Sequence, residues 1–388
     1  MMDDATSQKV PLLTIAREWT RMGCIGFGGP PTHISLLRRL CVDQRKWMDE
    51  REFEDGVTAT SLLPGPASTQ LAIYCAWRLR GMVGAIIGGL CFIVPGLILI
   101  LALSVLFLDR HAPDWVLGAA AGAGAAVPAV ALRAAWSLAP ASRRATANQR
   151  GAQARWIAYV VVGGAVAATV GEYLVLALIA CGLLEITVRG HERRGQLGSV
   201  AFPGVLGHIG GVGGVGAIGW VALKVGALSY GGGFVIIPLM QHDVVDTYHW
   251  MNGTQFLSAV ALGQLTPGPV VQTVAVVGYA AGGIGGGLLA ALIVFAPSFV
   301  FVFAGAPHFD QVRENVSVQS FFRGAGPAVI GAIAGSTIPL GRSLVHAWQL
   351  PVLAGALVLL FVLRRSVVTS LLLAGLVGLL LGLSGVSV

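Results

Sequence analysis

The chain has 388 residues, of which 55% are hydrophobic and only 11% charged, whereas soluble domains carry about 25% charged residues. That balance excludes a soluble enzyme with a large core and defines a polytopic membrane protein. The net charge of +7 would suit nucleic acid in a soluble protein, but here the bases cluster between apolar segments, as the positive-inside rule expects, so no nucleic-acid partner is read.

The first ten residues are polar and lack a signal-peptide core, so insertion is expected to rely on internal segments. Two short segments, 12–40 and 220–240, carry glycine clusters in their middles. Two others, 57–77 and 256–281, are apolar but broken by Pro-Gly-Pro. Runs long enough to span a bilayer cover 81–108, 115–138, 282–303, 321–340, and 350–363 continuing to 383. Residues 156–188 fit two short spans split at Gly171-Glu172. The predicted total is ten to twelve membrane elements. Basic loops at 143–155 and 189–198 separate them.

A glycine-rich tract at 204–219 reads as a flexible connection. Its GVGGVG, 211–216, matches the dinucleotide fingerprint in letters only, because no strand precedes it. Cys24, Cys41, Cys75, Cys91 and Cys181 are scattered and form no CxxC, so neither a disulfide framework nor a metal site is implied. The expected organisation is an N-terminal repeat over 1–195, a linker over 196–216 and a C-terminal repeat over 217–388.

The repeat is visible without gaps. FGGPPTHISLLRRLCVDQRKWMDEREFEDGVTATSLLPGP starts at Phe27, and YGGGFVIIPLMQHDVVDTYHWMNGTQFLSAVALGQLTPGP starts at Tyr230. The offset, 230 − 27 = 203, aligns Asp43 with Asp246, Trp47 with Trp250, Met48 with Met251, Phe53 with Phe256 and both Pro-Gly-Pro triplets. A weaker match joins GAGAAVPAV at 122–130 to RGAGPAVIG at 323–331. The loop of the first half holds Arg38, Arg39, Arg45, Lys46 and Arg51, whereas residues 241–254 hold no Lys or Arg. By the positive-inside rule these loops face opposite sides, so the repeats are expected to be inverted. Placing the basic stretches at 78–80 and 143–155 in the cytoplasm as well requires the first Pro-Gly-Pro segment to be a re-entrant hairpin. The fold class is therefore all-α, polytopic, with two homologous repeats and broken or re-entrant helices at the centre.

Proline costs about 3 kcal/mol inside a helix, and unpaired backbone groups are tolerated in a bilayer only inside protein or around a cavity. Paired breaks in two repeats are the sequence mark of a secondary transporter's binding site. Helices restarting after a break offer free N–H groups to an anion. The expected substrate-binding set is Gly28, Gly29, Pro30 and His33; Pro64, Gly65, Pro66, Ser68, Thr69 and Gln70; Tyr230, Gly231, Gly232 and Gly233; and Gln264, Thr266, Pro267, Gly268, Pro269 and Gln272. Arg133 and Lys224 join it as charges within apolar segments. The plainer alternatives are kinked helices packed through small residues, snorkelling bases and a packed histidine. Asp43 and Asp246 are read as loop residues near helix ends, and Glu172 as a turn.

FGGPPTHISLLRR, the Trp-Met pair, LLPGPASTQLAIY, YGGGFVIIPLMQHDVV and ALGQLTPGPVVQTVAVVGY resemble the chromate ion transporter family in its long, two-domain form. The resemblance runs from about Gly23 to Phe303 and weakens beyond. It implies efflux of chromate, a tetrahedral dianion, across the bacterial inner membrane, and resistance to it. Sulfate is the alternative substrate, since a nest of backbone donors reads shape and charge rather than the central atom. No cofactor is implied, and small-residue faces are compatible with a homodimer in the lipid bilayer. The sequence lacks HExxH, GxSxG, Walker A and paired intramembrane aspartates, which argues against an enzyme. A two-fold repeat with unlike loops argues against a channel.

Overall fold

The computed structural model describes residues 10–108, 112–144, 150–192, 214–229, 233–305 and 315–387, and these are helical throughout, with no strand among them. In the first half α1 covers Leu12–Ile25, α2 Pro30–Arg38, α3 Glu50–Leu62, α4 Ala67–Phe107, α5 Asp114–Ala125, α6 Val127–Arg144, α7 Arg150–Thr169 and α8 Leu174–Glu192. In the second half α9 covers Val215–Leu228, α10 Ile236–Gln241, α11 Gly253–Leu265, α12 Thr273–Gly305, α13 Val316–Arg342, α14 Gln349–Leu357 and α15 Val367–Leu383. Most of the 196–216 linker lies outside the described residues, and its last two positions already belong to α9.

The repeat seen in the sequence recurs in the backbone. A π-helical turn extends α2 over Arg39–Gln44 and extends α10 over His242–Thr247, at the same offset of 203. Asp43 and Asp246 therefore sit in wide helical turns rather than in loops, a correction to the sequence reading. Asp49 caps α3 and Asn252 caps α11, each accepting from the backbone N–H three residues on. Glu172 stands in the turn between α7 and α8, as expected.

Each Pro-Gly-Pro is the tip of a helical hairpin, not a kink in a continuing helix. Glu52 pairs with Arg78, and Gly56 packs against the Tyr74 ring, so α3 and the start of α4 run antiparallel. In the second half Gly263 packs against Thr273 in the same sense. The reversal needs a backbone that only glycine adopts freely, and Gly65 and Gly268 have φ of +114° and +93°. The flanking residues are extended in both tips, Leu63 and Pro66 in one, Thr266 and Pro269 in the other.

A second reversal follows. α4 breaks at Arg80-Gly81 and α12 at Gly282-Gly283, with φ of +60° and +61° at Gly81 and Gly283. Beyond the break Gly84 packs against Ala76 and Gly286 against Gly278, so each chain doubles back into a long outer arm. The matching offset is now 202, since 283 − 81 = 202 and 297 − 95 = 202 for the arm prolines Pro95 and Pro297. The second repeat is thus one residue shorter between tip and arm.

The two outer arms pack against each other. Gly89 meets Phe299 and Leu101 meets Gly287, which is an antiparallel pairing of equivalent segments. Farther out the halves exchange partners. α13 of the second half lies along α7 and α8 of the first, while α5 of the first lies along α15 of the second. Small residues make both contacts close: Gly163, Gly331 and Gly335 leave no room for a β-carbon against the facing carbonyls, and neither do Gly118, Gly122 and Gly378.

Four helical runs, Ala67–Phe107, Asp114–Arg144, Val270–Gly305 and Val316–Arg342, are long and apolar enough to cross a membrane. Their outward faces are apolar, with Leu292 71% and Val300 59% exposed. In water such surface would aggregate, whereas lipid tails solvate it.

Candidate functional site

The tips converge on α1, α2 and the outer arm of α4. The Gly268 N–H donates to the Gly26 carbonyl at 3.0 Å, joining the second tip to the first repeat. The same carbonyl takes a second bond, from His33 Nε2 at 2.9 Å. A carbonyl only accepts, so His33 carries its proton on Nε2, and its Nδ1 accepts from Ser68 Oγ at 3.1 Å. Ser68 opens the helix after the first tip. One chain of bonds, Ser68 to His33 to Gly26 to Gly268, therefore links the two Pro-Gly-Pro reversals. His33 is 1% exposed, and its ring meets Phe92 edge-on with centroids 5.1 Å apart.

Gln272 adds a second cross-repeat link, donating from Nε2 to the Ile93 carbonyl at 2.8 Å. Gly96, one turn on, packs so closely on the Pro267 carbonyl and the Gln272 amide that a side chain there would collide. Gln70 closes its own tip by donating to the Pro64 carbonyl at 2.6 Å. Gly65 faces the Gly226 carbonyl of α9. Val270, just after the second tip, touches both Gly29 and Gly233.

Several buried polar atoms of this region find no partner among the described residues: Thr69 Oγ1, Gln70 Oε1, Gln264 Nε2, Gln272 Oε1 and Ser298 Oγ. Leaving such an atom unmade costs about 1–3 kcal/mol, so four of them on residues flanking the two hairpin tips is a costly arrangement that a polar ligand would relieve. Thr266 and Thr273 instead bond back to their own turns.

The structure gathers Gly28, Gly29, Pro30, His33, Pro64, Gly65, Pro66, Ser68, Thr69, Gln70, Gly233, Gln264, Thr266, Pro267, Gly268, Pro269 and Gln272 into the two tips and the helices beside them. Pro30 begins α2, whereas Pro66 and Pro269 stand one position before their helices. Tyr230, Gly231 and Gly232 lie outside the described residues. Lys224 and Arg133 have other neighbours. Lys224 pairs with Asp243 in the π-helical turn that extends α10, and Arg133 lies over the Phe361 ring at 5.7 Å. Sequence reasoning did not single out Gly26, Phe92, Ile93, Gly96 and Ser298. The matching prolines at 95 and 297 were the available signal, hidden by the one-residue change in offset.

A helical membrane protein whose two repeats meet at paired hairpin tips is built as a transporter. The chain belongs to the chromate transporter family, whose family model matches residues 13–186 and 216–379, one region in each repeat. It is 30% identical over 346 residues to the chromate transport protein of Cupriavidus metallidurans, covering 87% of this chain and 84% of that one. It is 29% identical over 405 residues to the chromate transport protein of Pseudomonas aeruginosa, covering 97% and 94%. An uncharacterized transporter of Methanocaldococcus jannaschii is 25% identical over 338 residues, covering 84% and 83%. No solved structure is significantly similar to the chain.

Proposed function

We propose that this chain exports chromate from the bacterial cytoplasm across the inner membrane, by alternating access around a site made by the two Pro-Gly-Pro tips, and so confers chromate resistance. The observation that carries this reading is the junction of Gly268 with Gly26, reinforced by Gln272 on Ile93, since it brings the tip of one repeat onto the other at a buried locus with unpartnered polar atoms. The names of the relatives support chromate as the substrate.

The repeats are inverted in this reading. Equivalent outer arms that run antiparallel imply a two-fold axis perpendicular to them, hence in the membrane plane. The one-sided distribution of bases in the matching loops supports the same relation. Rocking one repeat against the other would open the tips alternately to each side.

The membrane potential suffices as a driving force. Moving one charge is worth about 2.3 kcal/mol per 100 mV, so an oxyanion leaving a negative interior gains about 2.3 kcal/mol if singly charged and about 4.6 kcal/mol as a dianion. The test is uptake of labelled chromate and sulfate into everted vesicles carrying the chain, with and without an imposed potential. Chromate accumulation that needs the potential, with sulfate only competing, is the expected result. Equal accumulation of sulfate would make the chain a general oxyanion carrier, and no accumulation by an inserted protein would overturn the reading.

A further inference from the structure

We propose that the tips select a singly protonated tetrahedral oxyanion, hydrogen chromate rather than the chromate dianion, through two buried amide oxygens that require a hydrogen-bond donor. This rests on the transport reading above and names the form of substrate its site takes.

The orientation of both amides is fixed by chemistry. Gln70 Nε2 meets the Pro64 carbonyl and Gln272 Nε2 meets the Ile93 carbonyl. A carbonyl cannot donate, so the NH2 end of each amide must face it, and each Oε1 is left as an acceptor. Both side chains are 0% exposed, and neither Oε1 has a donor among the described residues. Gln272 Oε1 stands against Gly96, where any larger residue would displace it. Gln272 is bonded beside Phe92, which holds the ring of His33, and His33 is bonded to Ser68 in the same turn as Gln70. The two acceptors thus belong to one cross-repeat cluster.

The same helical turn as Ser68 and Gln70 holds an unpartnered hydroxyl, Thr69 Oγ1, which can donate. The chemistry of the cluster is mixed, a donor together with acceptors. A fully deprotonated tetrahedral anion offers only acceptor oxygens and would be turned away by Gln70 and Gln272. Hydrogen chromate offers acceptor oxygens to the donor and one O–H to one of the two amide oxygens at a time, whereas the dianion can pair with neither amide oxygen. A site built around a hydrogen bond rejects the analogue that cannot make it, because its own polar group stays unpaired. Chromate keeps a sizeable protonated fraction near neutral pH, as arsenate and phosphate do. Sulfate holds a proton only in strong acid. Protonation therefore discriminates where the tetrahedral shape cannot.

The experiment uses the full chain in everted vesicles at a fixed imposed potential. Initial rates of labelled chromate uptake are measured between about pH 6.5 and about pH 8.5, with arsenate and sulfate as competitors at each pH. The apparent KM for total chromate should rise toward roughly tenfold per pH unit as the protonated fraction falls, and arsenate should compete at least about tenfold better than sulfate. His33 is the titratable side chain bonded into this cluster, so the competition ratio at a single pH separates substrate protonation from titration of the protein. Gln272→Leu and Gln70→Leu should each shrink the arsenate-over-sulfate ratio, and the wild-type series decides the matter alone if either variant fails to insert. A KM independent of pH, or sulfate competing as well as arsenate, overturns the proposal while leaving chromate transport standing. No chromate flux at any pH overturns both.

Discussion

The Gly268 N–H and the Gly26 carbonyl, 3.0 Å apart, belong to different repeats and lie 242 positions apart in the chain, 268 − 26 = 242. One hydrogen bond there holds a hairpin tip of one half against the end of α1 in the other. Gly268 can present its N–H that way because its φ of +93° turns the chain at the tip. A side chain at positive φ costs roughly 1–2 kcal/mol, and here a β-carbon would also crowd Gln272 Nε2 at 3.3 Å. Gly268→Ala should therefore cut chromate uptake by at least about tenfold while the protein remains in the membrane. Vesicle flux normalised to protein quantified by blotting checks it, and Gly65→Ala should behave alike.

His33 is read as a bridge rather than a charge carrier, since both ring nitrogens are bonded within the protein. His33→Ala removes two buried hydrogen bonds and the ring contact with Phe92, for a loss of about 2–4 kcal/mol. Ser68→Ala removes one, about 1 kcal/mol. Thermal melting of the detergent-solubilised protein should rank wild type above Ser68→Ala above His33→Ala, and a reversed order would refute the bridge.

Much of this was legible in the letters. The gapless match over 27–66 and 230–269 marked two repeats, and the bases at 38–51, absent from 241–254, support the inversion proposed for them. What the letters concealed was the path of the chain. Separate elements are expected to begin at 81 and 282, but nothing in hydropathy says that the chain doubles back there through Gly81 and Gly283 at positive φ. The partner exchange of α13 and α5 was equally hidden, since small residues permit close approach without saying to which helix. The outer-arm residues Ile93 and Ser298 escaped notice for a different reason: their roles arise from atoms contributed by the other repeat or left without a partner.

Lys224 offers a direct contrast between a substrate ligand and an internal ion pair. Its side chain and that of Asp243 are 11% and 16% exposed and bonded to each other. Breaking a buried pair on one side leaves the other charge stranded, at about 3–5 kcal/mol for full burial and less here. Lys224→Ala should lower the melting temperature and the flux, and Lys224→Ala with Asp243→Ala should recover most of both. A double variant that stays stable but does not transport would make Lys224 a ligand instead.

Glu185 anchors the periphery in the same way that the tips anchor the centre. It is 3% exposed and accepts from Arg155 Nε at 2.9 Å, Arg189 Nε at 2.7 Å and Tyr159 OH at 3.1 Å, binding α7 to α8. Gly324 of α13 rests on its β-carbon, so the network also sets the surface on which the second repeat packs. Glu185→Gln keeps the shape but leaves two guanidinium groups facing a neutral amide, for a loss of about 2–4 kcal/mol. The expected phenotype is a lower melting temperature with the KM for chromate unchanged in the protein that survives. A shifted KM at unchanged stability would move Glu185 from scaffold to transport path, and parallel melting and vesicle kinetics on one preparation distinguish the two.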